Sequence, residues 1–91
     1  MNRYHLVIRV TPRPGILDPE GKAIHHALHS LGYGAARDVR VGKAVYLELD
    51  AESEDEARAA ADEMCRKLLA NPVTETYEVE LSDHATAGAA G

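Results

Sequence analysis

Apolar and polar positions alternate along residues 3–11. Tyr4, Leu6, Ile8 and Val10 fall on one side, His5, Val7, Arg9 and Thr11 on the other. A period of two marks a half-buried strand. Pro12, Pro14 and Gly15 end it, since proline lacks a ladder donor and glycine permits a turn. The period then changes. Ile24, Ala27, Leu28 and Leu31 recur at helical spacing, one apolar stripe of an amphipathic helix. Asp18 is its predicted N-cap, Pro19 its first residue, and Gly32 its left-handed stop. Gly21, inside the first turn, marks either close packing of that turn or close approach of a partner's backbone.

Residues 36–50 carry apolar side chains at odd positions throughout: Val39, Val41, Val45, Leu47 and Leu49. A two-residue hairpin turn at Gly42-Lys43 would pair Val41 with Ala44 and break that phase, because a one-residue slip moves every side chain to the other face. One long strand bent at Gly42 keeps it and is the favoured reading, over a three-residue turn pairing Val41 with Val45. Ser53 and Glu56 then form a capping box. The helix behind it has an apolar stripe of Ala57, Ala60, Ala61, Met64 and Leu68. Its exposed side carries three acid-first pairs four residues apart, Glu54–Arg58, Asp62–Arg66 and Glu63–Lys67. Asn71-Pro72 ends it. Residues 73–81 alternate again, with Val73, Tyr77, Val79 and Leu81 on one face. The order strand, helix, strand, helix, strand predicts an α+β two-layer sandwich, with both helices on one face of a small antiparallel sheet. Residues 1–81 are read as a single domain and 82–91, small and polar without period, as a flexible tail.

Composition narrows the class. A chain of 91 residues allows one domain, and 45% hydrophobic residues suffice for a core. A domain of this size buries a modest share of its surface, which points to a homodimer or tetramer. Fifteen acidic residues against ten basic ones leave a formal charge of −5, contrary to the basic footprint of a nucleic-acid binder. No apolar run approaches a membrane span. The single Cys65 forms no internal disulfide and suits a reducing, cytoplasmic setting.

Candidate chemistry is sparse. His25 and His29 lie one helical turn apart, but no cysteine or carboxylate nearby completes a ligand set, so no metal site is expected. Cys65 lies beside the apolar stripe without a neighbouring base, which marks a structural thiol and not a nucleophile. No phosphate-cradling glycine loop is present. No catalytic or cofactor-binding residue is therefore expected on this chain. What remains is a concentration of Arg13, Arg37, Arg40 and Lys43 near strand ends, beside a proline-stiffened run from Thr11 to Pro19. Rigid loops on a scaffold are where binding concentrates. With Arg40 on the outward side of the predicted bent strand, Arg13, Asp18, Arg40, Gly42 and Lys43 are the candidate docking residues for a partner.

Four blocks resemble one family in register. They are Pro14-Gly15-Ile16-Leu17-Asp18-Pro19-Glu20-Gly21-Lys22, Ala27-Leu28-His29-Ser30-Leu31-Gly32-Tyr33, Asp38-Val39-Arg40-Val41-Gly42-Lys43, and Cys65-Arg66-Lys67-Leu68-Leu69-Ala70-Asn71-Pro72-Val73. Together they are similar to PurS, the small subunit of phosphoribosylformylglycinamidine synthase. The resemblance implies a PurS-like, ferredoxin-like fold and a role in purine biosynthesis. That enzyme converts formylglycinamide ribonucleotide, glutamine and ATP to formylglycinamidine ribonucleotide. It also implies partners: the PurL synthetase subunit, which carries ATP and Mg, and the PurQ glutaminase subunit. PurS would join them and support ammonia transfer without an active site of its own. The family's catalytic residues belong to the glutaminase, so none is carried onto Cys65 or the histidines. The alternative is a free-standing regulatory domain that binds a small metabolite at an oligomer interface.

Overall fold

A computed structural model describes residues 1–82. The elements are β1 (Asn2–Pro12), α1 (Pro19–Ser30), β2 (Lys43–Ala51), α2 (Glu54–Met64) and β3 (Glu75–Ser82). The strands form one antiparallel sheet in the order β2-β1-β3. The central place falls to β1, the longest strand, with 11 residues. Leu6, Ile8 and Val10 on its core face are each exposed by 1% or less. Complete burial of such side chains contributes roughly 1.5–3 kcal/mol each. Val45, Leu47 and Leu49 of β2 and Tyr77, Val79 and Leu81 of β3 flank them. The expected α+β architecture is therefore present.

Helix α2 covers this face. Ala57 and Ala61 are buried against the strands, their small side chains letting the helix lie close. Its start is the predicted capping box with one change of partner. Ser53 Oγ accepts from the Glu56 amide at 3.1 Å, while Glu56 Oε1 accepts from Glu52, one residue before the cap. All three acid-first pairs form along its exposed side.

The end of α2 departs from the expected stripe. The last turn, Cys65–Leu69, widens to π geometry, and the Ala70 amide donates to the Cys65 carbonyl five residues back. An extra residue in a turn rotates the side chains beyond it. Cys65, four residues after Ala61, is in the core by ordinary helical spacing; beyond it Ala70 enters the core and Leu69 packs on it, whereas Leu68, expected in the stripe, is 82% exposed. Two strand boundaries are also corrected. Val73 precedes β3 and is exposed, because 72–74 form a turn held by Asn71. Ser82, read as the start of the tail, is the last residue of β3 and pairs with His5. The remainder of the tail, 83–91, lies outside the described residues.

The long bent strand is not observed. Residues 36–42 have no regular secondary structure, and β2 begins at Lys43, opposite Val10. The phase argument nevertheless holds: Val39, Val41, Val45, Leu47 and Leu49 are the less exposed positions, alternating with more exposed neighbours along β2. Ladder pairing stops at Gly42 because loop contacts take over there.

Helix α1 has the predicted limits. Asp18 caps it, Pro19 opens it, and Gly32, at φ 98°, turns the chain away. Its stripe, expected on the sheet, is not covered by the other described residues. Gly21 is its one buried residue, and Leu31 is 72% exposed. The radius of gyration is 16.2 Å, against about 12 Å for a compact domain of this length.

A knitted loop cluster as candidate docking site

Three loops meet beyond the Pro12 end of β1, and two side chains bind them together. Asp18 is the first. Its Oδ1 accepts from the Gly21 amide at 3.0 Å, capping α1, and its Oδ2 accepts from the Val41 amide at 2.9 Å. These two backbone donors, first Val41 and then Gly21, hold the carboxyl below the usual aspartate range, with a smaller contribution from Arg40. A single carboxylate thus ties the start of α1 to the approach of β2. Gly21 makes the tie possible. A Cβ there would stand 2.5 Å from both Asp18 Oδ2 and the Val39 carbonyl, so its role is close packing within the chain.

Arg40 is the second. Its guanidinium donates to the carbonyls of Pro12 at 2.9 Å and Arg13 at 2.8 Å. Nε lies 3.8 Å from Asp18 Oδ2. The side chain placed outward by the bent-strand reading is turned onto the loop after β1. Residue 40 lies outside the ladder and beside that loop, so its long side chain folds back onto the Pro12 and Arg13 carbonyls while the alternation of exposure continues.

Arg13 extends the cluster to the third loop. Its amide donates to the Thr74 carbonyl at 2.8 Å, and its guanidinium donates to the Pro72 carbonyl at 2.9 and 3.2 Å. Gly42 packs against β1, where a Cβ would stand 2.5 Å from the Val10 carbonyl. Lys43 is exposed at the head of β2. The five residues singled out from sequence are therefore brought together around the end of the sheet. Ile16 and Leu17 are exposed in the same loop, a pair of apolar side chains that the sequence reading missed. Their signal was available, as two large apolar residues in a segment without period.

Outside the cluster, the Cys65 thiol is fully buried, and burial, then the Asp62 carboxylate, pushes its pKa up. A protonated, enclosed thiol is inert. Tyr77 donates its hydroxyl to Asp62, which also pairs with Arg66; that hydrogen bond, then burial, raises the Tyr77 pKa. The open sheet face carries Arg9–Glu80 at 3.0 Å and Arg3–Asp50 at 3.3 Å, exposed pairs of little energetic weight. Among the described residues no three His, Cys, Asp or Glu side chains gather as a metal set, and no helix is long and apolar enough to cross a membrane.

The fold and its loop cluster define a small α+β subunit with a rigidly built surface and an uncovered helix face. Residues 5–83 match the family model PurS: Phosphoribosylformylglycinamidine (FGAM) synthase, and the chain belongs to that family. It is 43% identical over 81 residues to the phosphoribosylformylglycinamidine synthase subunit PurS of Bacillus subtilis, covering 88% of this chain and 94% of that protein. It is 48% identical over 81 residues to the PurS subunit of Synechocystis, covering 87% and 79%. Among solved structures it is similar to a chain of PurLQS from Thermotoga maritima, with a TM-score of 0.83 at 33% identity, covering 90% of this chain and all of that one. It is also similar to Methanocaldococcus jannaschii PurS, one of the subunits of formylglycinamide ribonucleotide amidotransferase, with a TM-score of 0.77 at 33% identity, covering 89% and 98%.

Proposed function

We propose that this chain is the assembly subunit of a cytoplasmic FGAM synthase, holding a PurL-type synthetase and a PurQ-type glutaminase together for ammonia transfer. ATP and Mg belong to the synthetase in this reading. The observation that carries it is the likeness, over nearly the whole chain, to a component of the Thermotoga PurLQS structure. The loop cluster supplies a suitable docking surface. Arg13 and Lys43 stand exposed with Ile16 and Leu17, while Asp18, Arg40 and Gly42 hold the loops in place. A preorganised surface loses less entropy on binding than a mobile one.

The same reading includes self-association as a homodimer or tetramer. The α1 stripe is uncovered, and Val45, Leu47 and Leu49 at the β2 side of the core face are only partly buried. One copy's stripe covering the other's β2 side is self-complementary and closes as a two-fold dimer. The decisive experiment is reconstitution with the PurL and PurQ subunits of the same source. Glutamine-dependent FGAM formation is expected only when this chain is present. Full activity without it would overturn the assembly role.

A further inference from the structure

Two rings on α1 converge on one oxygen. His25 Nε2 lies 2.8 Å and His29 Nε2 3.2 Å from the carbonyl oxygen of Ala36, in the connection that leads to β2. The ring centroids are 4.7 Å apart and the planes nearly perpendicular. Neither histidine takes part in the loop cluster. The spacing of four residues puts both on one side of the helix. That side flanks the apolar stripe, with His26 turned away from it. Two imidazoles alone make an incomplete ligand set; the fold adds a third donor that the sequence did not reveal, the Ala36 carbonyl.

We propose that His25 Nε2, His29 Nε2 and the Ala36 carbonyl oxygen form a binding site for a divalent transition cation of the zinc or nickel class. Two edges of the triangle support this. Ligand atoms sit about 2.0–2.1 Å from zinc, so two of them are about 3–3.4 Å apart for angles between octahedral and tetrahedral. The two nitrogen–oxygen edges, 2.8 and 3.2 Å, meet that span with shifts of a few tenths of an ångström. Imidazole is the side chain best matched to these ions. Each ring now donates its Nε2 proton to the carbonyl. Coordination requires the neutral tautomer with the proton on Nδ1. By exchange with water each ring loses the proton on Nε2 and gains one on Nδ1, and the Nε2 lone pair that is freed becomes the ligand. His29 is exposed and His25 only partly buried, which leaves an entry path and room for water in the remaining positions. A bound ion would clamp the connection after α1 to the helix.

The test uses the full chain and Zn2+ as the probe. Isothermal titration should show one saturable site per chain. His25→Gln and His29→Gln should each weaken it by at least about tenfold, the scale of lost metal-site partners. Glutamine keeps an N–H donor for Ala36, so the apo fold is expected to survive. His26→Gln should leave binding unchanged. The unmodified chain gives a second readout that needs no variant. In a zinc-titrated NMR spectrum, the ring signals of His25 and His29 and the Arg37 amide, bonded to the Ala36 carbonyl carbon, should shift together. Binding that survives the double variant, or zinc addition that leaves those ring signals unmoved, overturns the proposal.

Discussion

Asp18 and Arg40 meet between two loops, with Arg40 Nε 3.8 Å from Asp18 Oδ2, but neither is chiefly a partner of the other. Each directs its hydrogen bonds to backbone. Asp18 accepts from Gly21 and Val41, and Arg40 donates to Pro12 and Arg13. The pair therefore works as two opposite clamps on the same junction. Arg40→Ala should lower stability by about 1–2 kcal/mol, the loss of charge-assisted bonds at a part-exposed site. Urea unfolding measures it. An unchanged midpoint would mean that the guanidinium does not hold the loop.

Acid should release the other clamp. The folded Asp18 carboxyl titrates below its ordinary value of 3.8. Its stabilisation is therefore complete above that value and is lost as pH falls through the lower folded one. Stability measured across the acid range should fall less steeply in Asp18→Asn than in the parent chain. Glu80, held low by Arg9, keeps part of the slope in both. Parallel curves would assign the acid dependence elsewhere.

At Gly42 the expected effect is steric. A valine there would press on the Val10 carbonyl and on Thr11 Cγ2. Overpacking of this kind costs about 1–3 kcal/mol. Thermal melting should show a lower midpoint for Gly42→Val, with a smaller fall for Gly42→Ala. A melting point equal to the parent's would remove the close contact with β1.

The α1 stripe should respond to charge by dissociating copies, not by unfolding. Ile24 and Leu31 are 39% and 72% exposed within the chain, so glutamates there meet water in a free monomer. Surface changes of that kind stay within about 0.5 kcal/mol. In an oligomer that buries the stripe, the same charges are costly. Sedimentation of the Ile24→Glu/Leu31→Glu variant should give a lower mass than the parent at equal concentration. Equal masses would place the interface elsewhere.

Cys65→Ala should cost about 1–2 kcal/mol through the void left in a packed core and leave glutamine-dependent turnover of the assembled enzyme intact. Denaturant melts and the reconstituted assay check the two halves separately. Lost turnover in a folded, assembled variant would give the thiol a role that its burial denies.

Local pattern determined much of this protein. Strands, both helix starts, the three ion pairs on α2 and the side-chain phase through Gly42 each depend on residues within a few positions of one another. Periodicity and capping report such features directly. The grouping of Arg13, Asp18, Arg40, Gly42 and Lys43 was legible because glycines, prolines and cations collected at strand ends. Their roles were not. Arg40 bonds to residues 27 and 28 positions away, and no local rule says where a side chain turns once the ladder has stopped. Tertiary structure alone decided four points: the π turn that exchanges Leu68 for Leu69, the early end of pairing at Lys43, the uncovered α1, and the convergence of His25 and His29 on Ala36. For the uncovered helix the cause is the size of the sheet. A three-stranded sheet has room for α2 on its core face, so where α1 goes depends on what the rest of the molecule leaves exposed. An amphipathic stripe shows that a helix will be covered, but not by which surface.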